Sequence, residues 1–204
     1  SNYEELSSYD DNVDDDGISW KNYVIGCIKV FKETYNVNKG FNILIGGNIP
    51  IGFGMSSSAA LVVSLLSSLI YASDIKVDKY KVLELSNKVE KIFLGIESGL
   101  LDQYACIFSK KNKPMLIDFS NLSHTYIDGK INGASWILVN SMVGRELVSS
   151  KYNDRVKECR QELNEINNIY KSDLKINEIR YMHIEKLQNP ELYNRLYHLI
   201  SENQ

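Results

Sequence analysis

A run of glycines followed by three serines constrains the fold of this chain more than any other part of its sequence. The run reads Gly46-Gly-Asn-Ile-Pro-Ile-Gly-Phe-Gly-Met-Ser-Ser-Ser-Ala-Ala60. Before it, residues 41–46 alternate and are rich in β-branched side chains, which predicts a strand. After it, residues 58–72 are mostly small and apolar, which predicts a buried helix. The chain therefore has to pass from a strand to the start of a helix through a glycine-rich loop.

A loop of this composition suits the binding of an anion such as a phosphate group. Glycine lets the backbone come close to a ligand and adopt positive φ. The amides and the dipole at the start of the following helix favour negative charge, and serine hydroxyls add donors and a ligand for a metal ion. The residues that this interpretation assigns to the bound group are Gly52, Gly54, Ser56, Ser57, Ser58 and Ala59.

The same loop has a second interpretation, and the residues alone do not decide between the two. A glycine-rich turn with a serine N-cap is a common structural motif. The loop contains neither the Gly-Lys-Ser/Thr of a Walker A motif nor the GxGxxG of a dinucleotide-binding fingerprint. A phosphate site and a plain turn therefore both stay open at this point.

Two carboxylates stand on either side of a second glycine-containing bend. Glu90 lies near the end of a predicted helix, and Gly95 and Gly99 follow it before Asp102-Gln103. Carboxylates separated in this way suit two different tasks, one on a metal ion and one on a substrate hydroxyl. From these residues alone, a solvated Glu90 and a helix-capping Asp102 are the simpler interpretation.

The rest of the chain alternates helices and short strands, which predicts a mixed α/β domain. A helix is expected from Trp20, and another from Asp78 as N-cap to about residue 94. Residues 115–119 and 136–141 are strand candidates. Beyond residue 149 the pattern is helical, with breaks expected near residues 172–173 and at Pro190.

Composition excludes several classes of function. The formal net charge of -3 gives no reason to expect nucleic acid or an anionic membrane as a partner, and no apolar run approaches the ~20 residues of a membrane span. The polar, acidic start does not resemble a secretory signal. The three widely spaced cysteines, with no metal-ligand pattern, predict reduced thiols in a cytoplasmic protein.

The glycine–serine loop resembles the nucleotide-binding loop of the GHMP kinases, in its galactokinase-type form with three serines. The matching segment is Pro50-x-Gly-x-Gly-Met-Ser-Ser-Ser-Ala-Ala60, in which Met55 replaces the usual leucine. The resemblance implies that the loop wraps the phosphates of ATP. It also implies that Ser58 helps to hold Mg²⁺.

The second segment, residues 90–103, resembles the galactokinase segment that carries a magnesium ligand and a catalytic aspartate. The matching pattern is Glu-x-x-x-x-Gly-x-x-x-Gly-x-x-Asp-Gln. The resemblance implies that Glu90 binds the metal and that Asp102 faces the sugar hydroxyl that becomes phosphorylated. It further implies that Gly99 lets the backbone approach the sugar. Such a site is chemically coherent, because phosphoryl transfer depends on positioning and charge neutralisation.

A third block, residues 140–159, is similar to the block that leads into the Tyr-Asn-x-Arg-Arg helix of galactokinases. Tyr152 matches the tyrosine that hydrogen-bonds the sugar in that family, although a tyrosine packed on a helix start explains it as well. Val156 departs from the pattern, which usually has a second arginine there. Tyr-Asn-x-Arg-Val-x-Glu-Cys also resembles galacturonokinases, so the sugar stays open.

The resemblance extends over roughly residues 20–204 and implies an α+β fold. The implied fold is that of the N-terminal GHMP kinase domain, which is of the ribosomal protein S5 domain 2-like type, with a mixed sheet and packed helices. It predicts a flexible acidic segment over residues 1–19, an ATP-binding domain over 20–170 and a helical segment over 171–204 that leads toward a C-terminal domain. The family's Gly-Arg-x-Asn-x-Ile-Gly-Glu-His motif and its late glycine-rich motif are not found, so we expect a piece of a longer protein.

The function that the resemblance implies is an ATP- and Mg²⁺-dependent transfer of the γ-phosphate to the 1-hydroxyl of a hexose, with galactose first. The alternatives are a galacturonokinase or another sugar 1-kinase, and a galactokinase-like sensor that binds sugar and ATP without catalysis. A kinase for mevalonate or homoserine is disfavoured by Asp102-Gln103 and Tyr152, which resemble the sugar branch. The sequence makes no prediction of the oligomeric state.

Overall fold

The structure, a computed structural model, describes residues 20–130, 133–140 and 151–202, without the side chains of residues 151–153 and 155. The described residues form two compact units, one of residues 20–117 and 124–140 and one of residues 118–123 and 151–202. The acidic segment predicted over residues 1–19 lies outside the described residues. The predicted domain limits at residues 19 and 170 stay a prediction.

Four helices and most of the two strands of a hairpin belong to the first unit, while the turn of the hairpin, residues 118–123, is assigned to the second unit. The elements are α1 (Trp20–Tyr35), α2 (Ser57–Ala72), α3 (Lys79–Lys88), a π-helical turn that continues α3 (Val89–Phe93), α4 (Leu101–Phe108), β1 (Met115–Asp118) and β2 (Ser123–Tyr126). The helices predicted from Trp20, after the loop and after Asp78 are therefore confirmed. Asp78 is the N-cap of α3, since its side chain accepts a hydrogen bond of 2.8 Å from the amide of Lys81.

The core of the first unit lies where α1 and α2 pack together with the end of α3. Apolar residues at spacings of three and four put one face of each helix into this contact. The most deeply buried members of the core are Cys27, Val30, Phe31, Val62, Leu66, Leu69, Leu85 and Val89. Burying each of the large side chains contributes about 1.5–3 kcal/mol, so this contact is a main source of the unit's stability.

Gly26 lets α1 approach the π-helical turn closely. A Cβ built on Gly26 would lie 2.7 Å from Cδ1 of Phe93 and 3.1 Å from Cγ1 of Val89. Glycine is a poor helix former, and here the close approach explains its place in the middle of α1.

Two predicted strands are not strands in the structure. Residues 41–46 and the described part of 136–141 have irregular backbone, and Leu44 and Ile137 are 85% and 81% exposed. An alternating pattern forms a strand only beside a hydrogen-bonded neighbour. Within the described residues, β1 and β2 form the only sheet, with two strands. The strand predicted at 115–119 is confirmed as β1, and the expected mixed sheet is reduced to this antiparallel hairpin.

The second unit is helical, as predicted beyond residue 149. It contains α5 (Lys151–Tyr170), a 3₁₀ turn (Ile176–Glu178), α6 (Tyr181–Ile184) and α7 (Pro190–Glu202). Its core consists of Ile166, Ile179, Ile184, Leu187, Leu196 and Ile200. The break expected near residues 172–173 is confirmed, because α5 ends at Tyr170. Pro190 is the first residue of α7, a position at which the missing amide hydrogen costs nothing.

A cation joins α7 to α5 within this second unit. The guanidinium of Arg195 lies 2.5 Å from Oε2 of Glu158 and 2.7 Å from Oε1 of Glu191.

In the part of the chain that the structure describes, no helix has the length and apolar character needed to cross a bilayer.

Candidate functional site

The glycine–serine loop adopts the backbone that its glycines were predicted to allow. Gly52 has φ of 80° and Gly54 has φ of 73°. Both values lie in the left-handed region, where a Cβ would clash with the backbone. The loop therefore requires glycine at these two positions, as expected.

The first turn of α2 directs its backbone amides toward the preceding loop. Ser56 is the N-cap, and its carbonyl accepts a hydrogen bond of 3.0 Å from the amide of Ala60. The preceding amides, those of Ser57, Ser58 and Ala59, have no acceptor within the helix, and Ser56 makes no side-chain cap. Since the helix dipole adds a positive potential at this end, the turn has the features of an anion site.

Strain accompanies this arrangement at Ser56. Its φ of 56° and ψ of 36° place a serine in the left-handed region, at a cost of about 1 kcal/mol. The three serines are half-buried and Ala59 is buried against the core, so the helix packs closely behind the loop.

Glu90 is buried instead of solvated. It is 4% exposed and lies in the π-helical turn at the end of α3. The amide of Leu94 donates to the carbonyl of Val89 at 3.1 Å, and the amide of Ile96 donates to the carbonyl of Glu90 at 2.9 Å. Turns of this kind often occur at functional sites, and this one directs a carboxylate into the protein interior.

Two side chains from the following segment hold the Glu90 carboxylate. The hydroxyl of Ser98 donates to Oε2 of Glu90, and the side-chain amide of Gln103 donates to the same carboxylate. Burial raises the pKa of Glu90, while these two hydrogen bonds oppose the rise and the charge of Asp102 adds to it. The bend at Gly95, with φ of 66°, brings Ser98 and Gln103 back toward the end of α3.

Tyr23, on α1, lies beside both predicted metal ligands. Its hydroxyl is hydrogen-bonded to the side chain of Ser58, and the charge of Glu90 acts on it. Burial, followed by the Glu90 charge, raises the pKa of Tyr23 to about 12. One turn further along α1, Cys27 is fully buried, and burial together with Glu90 raises the pKa of its thiol. The structure therefore brings Ser58 and Glu90 to the same residue of α1.

Asp102 occupies a different position from Glu90. It lies in the first turn of α4 and is exposed. Its charge acts on Glu90 and, one helical turn away, on Cys106, whose pKa is raised by burial first and by Asp102 second. Gly99 is also exposed, three residues before Asp102. One carboxylate of the predicted pair is thus buried and the other faces solvent.

Three residues of this site were not found by reading the sequence: Tyr23, Ser98 and Gln103. Tyr23 lies four residues before Cys27 on the buried face of α1. A tyrosine hydroxyl among apolar residues needs a polar partner, and this could have indicated its place in the site. Gln103 follows Asp102 in the matched segment. The side chain of Tyr152 lies outside the described residues, so its predicted contact with a sugar stays a prediction.

Glu90 and Ser58 are compatible with magnesium, which takes few ligands from the protein. The described part of the chain contains no group of three or more His, Cys, Asp or Glu side chains that could hold a metal ion. Mg²⁺ usually takes one or two carboxylates together with substrate phosphates and water, and Glu90 with Ser58 meets that requirement. Oε1 of Gln103 is buried without a hydrogen-bond partner among the described residues, which leaves an acceptor beside the carboxylate.

Comparison with known proteins finds relatives that are similar along nearly the whole chain. Residues 22–110 match the family model described as the GHMP kinases N terminal domain. The galactokinase of Staphylococcus carnosus is 33% identical over 193 residues, which are 91% of this chain and 49% of that protein. The galactokinase of Clostridium perfringens (strain SM101) is 32% identical over 100% of this chain and 54% of its own length.

A solved structure shows the same architecture. The crystal structure of Lactococcus lactis galactokinase complexed with galactose matches 92% of this chain and 50% of that chain, with a TM-score of 0.79 and 29% identity. The predicted α+β fold is thereby confirmed. The chain spans about half the length of the relatives that it matches.

Proposed function

We propose that the full-length protein is an ATP-dependent sugar kinase, because residues 22–110 match the GHMP kinases N terminal domain and galactokinases are 32–33% identical to this chain over 91–100% of its length. It transfers the γ-phosphate to the 1-hydroxyl of a hexose, and galactose is the first candidate. The observation that carries the proposal concerns Tyr23. Its hydroxyl is hydrogen-bonded to Ser58 of the glycine–serine loop, and the charge of Glu90 from the π-helical turn acts on the same hydroxyl.

The loop binds the phosphates of ATP in this proposal. The residues concerned are Gly52, Gly54, Ser56, Ser57, Ser58 and Ala59. The left-handed glycines let the backbone approach the phosphate chain, and the amides at the start of α2 point toward it. Because three amides and the helix dipole act together, the loop offsets part of the phosphate charge before any side chain contributes.

Ser58 and Glu90 are the residues that would hold magnesium. The bound ion would neutralise negative charge on the β- and γ-phosphates, which phosphoryl transfer requires. Ser58 is held by Tyr23, and Glu90 is held by Ser98 and Gln103, so both ligands are oriented by the protein. A pre-oriented ligand pair loses little side-chain entropy when it binds.

Asp102 acts on the sugar in this proposal. Its exposed carboxylate accepts the proton of the sugar hydroxyl as the oxygen bonds to the γ-phosphorus and the bond to ADP breaks. Gly99 lets the backbone approach the sugar, and Tyr152 would hydrogen-bond it. The division between buried Glu90 and exposed Asp102 suits a metal ligand and a proton acceptor that must meet a diffusing substrate.

A galacturonate kinase is the second candidate, because Val156 stands where galactokinases usually have arginine. The cytoplasm remains the proposed location, in keeping with three free cysteines, all of them among the described residues: Cys27, Cys106 and Cys159. A sensor that binds ATP and sugar without turnover would keep the same phosphate loop.

The test is Mg²⁺-dependent release of ADP by the full-length protein with galactose, galacturonate or N-acetylgalactosamine. Turnover with one sugar, lost in Asp102→Asn, would establish the kinase and identify its substrate. Tight ATP binding with no turnover on any of the three would contradict the proposal and favour the sensor.

A further inference from the structure

Gln103 is a buried neighbour of the Glu90 carboxylate. It is 1% exposed and follows Asp102 in the first turn of α4. Its side-chain amide donates a hydrogen bond to Glu90. Burying a glutamine so completely is unfavourable unless both ends of its amide are satisfied.

Only one end of that amide is satisfied by the protein. Oε1 of Gln103 has no hydrogen-bond partner within the described residues, although the surrounding atoms shield it fully from solvent. A buried acceptor without a donor costs about 1–3 kcal/mol. Ser98 already donates to Glu90, so the carboxylate does not need Gln103 merely to gain a first hydrogen bond.

An ordinary packing role does not account for this geometry. An apolar side chain of the same size would fill the space without leaving an orphaned acceptor. The side chain instead presents a donor to the proposed metal ligand and an acceptor beside it.

We infer that Gln103 is a positioning residue for the metal site: its side-chain amide holds the carboxylate of Glu90 in the orientation in which that carboxylate would bind magnesium. The inference rests on the proposed function, since it takes Glu90 as the metal ligand. Partners of this kind commonly change metal affinity by about 10–100-fold when they are removed.

The experiment measures metal binding separately from catalysis. Mn²⁺ replaces Mg²⁺ as a paramagnetic probe, and its affinity for the ADP complex of the full-length protein is measured by electron paramagnetic resonance. The affinity for ADP alone is measured by calorimetry in the presence of a chelator. The variants are Gln103→Leu, Gln103→Met and Glu90→Gln, and the control is Gln161→Leu, which changes an exposed glutamine of α5.

Gln103→Leu and Gln103→Met are expected to weaken Mn²⁺ binding by about tenfold or more, with metal-free ADP affinity changed less than about twofold. Methionine keeps the length of the side chain and removes both amide groups, so it decides the question if the leucine variant does not fold.

The outcomes separate this inference from the proposal on which it rests. If Glu90→Gln weakens Mn²⁺ binding while neither Gln103 variant does, Gln103 has no positioning role and the metal ligand stands. If Glu90→Gln leaves Mn²⁺ binding unchanged, the metal assignment fails and this inference fails with it. Equal losses of Mn²⁺ and metal-free ADP binding in the Gln103 variants would show a general structural defect and would also overturn the inference.

Discussion

The hydroxyls of Tyr23 and Ser58 are hydrogen-bonded, which ties the first turns of α1 and α2 together inside the first unit. Tyr23 is only 7% exposed, and the negative charge of Glu90 acts on it from the π-helical turn. One phenol therefore connects the glycine–serine loop with the buried carboxylate. If Ser58 binds the metal, the orientation of its hydroxyl depends on Tyr23.

Replacing Tyr23 by phenylalanine is expected to weaken the binding of the metal ion to the nucleotide complex. Tyr23→Phe removes the hydroxyl while keeping the ring in the core, so Ser58 loses its fixed orientation. We expect the affinity of the ADP complex for Mn²⁺ to fall by about tenfold, with a loss of about 1 kcal/mol in the free energy of unfolding. Titration of Mn²⁺ and urea denaturation measure the two quantities.

Tyr35→Phe is the matched control on the same helix. The hydroxyl of Tyr35 is buried without a hydrogen-bond partner among the described residues, so its removal costs no contact. We expect metal affinity to be unchanged in this variant. Similar losses in both variants would show that the Tyr23 hydroxyl has no special role.

Replacing Asp102 by asparagine is expected to abolish turnover and to spare ATP binding. The amide cannot accept the proton of the sugar hydroxyl, so kcat should fall by about 10²–10⁴-fold. ADP release gives kcat, and calorimetry gives the affinity for ATP. Asp74→Asn is the control, because Asp74 is exposed and its φ of 54° suits asparagine. Turnover that survives Asp102→Asn would show that another group accepts the proton.

Replacing Gly54 by alanine is expected to weaken nucleotide binding by changing the backbone conformation of the loop. Its φ of 73° would force alanine into the left-handed region, at a cost of about 1–2 kcal/mol. The loop would relax away from this conformation and lose amide contacts, so the Kd for ATP should rise about tenfold. Gly46→Ala is the control in the same segment, since a Cβ there meets no atom within 4 Å. An unchanged Kd for ATP in Gly54→Ala would show that this loop does not bind the phosphates.

Replacing Gly26 by alanine is expected to destabilise the first unit. Alanine is the better helix former, but its Cβ would lie 2.7 Å from Cδ1 of Phe93. Overpacking of this kind costs about 1–3 kcal/mol. Urea denaturation measures the loss, and the additional change Phe93→Leu should recover part of it. Gly40→Ala, where a Cβ meets nothing within 4 Å, should be close to neutral.

The hairpin should contribute a pH dependence to stability through Asp118. The hydroxyl and the amide of Ser120, followed by the amide of Asn121, lower the pKa of the Asp118 carboxyl. A carboxyl with a lowered pKa in the folded state stabilises the fold above its unfolded pKa of about 4. That stabilisation is lost as the pH falls through the folded-state pKa.

The measurement is the difference in unfolding midpoint between the wild type and Asp118→Asn across pH. The difference should be largest near neutral pH and should shrink below about pH 4. A difference that does not vary with pH would show that the Asp118 charge is not involved. Asp128→Asn, on an exposed aspartate outside the hairpin, serves as the control.

The backbone conformation around the candidate site could be predicted in part because its signals are local. Gly52 and Gly54 were predicted to adopt positive φ, and they do. Asp78 caps α3 and Gly95 ends the helical stretch, as their residue types indicate. These features depend on a few neighbouring residues, so the sequence alone carries them.

The sequence by itself determined the helices that begin near residues 20, 57, 79 and 151 and the conformation of the glycine loop, because the spacing of apolar residues and the sterics of glycine act over short distances; α4 was not predicted. Only the tertiary structure decided that Glu90 is buried and that Tyr23, Ser98 and Gln103 surround it, since these residues come from separate segments. It also decided that residues 41–46 are not a strand. Strand formation depends on a hydrogen-bonded neighbour, and a contact between distant residues has no local signature.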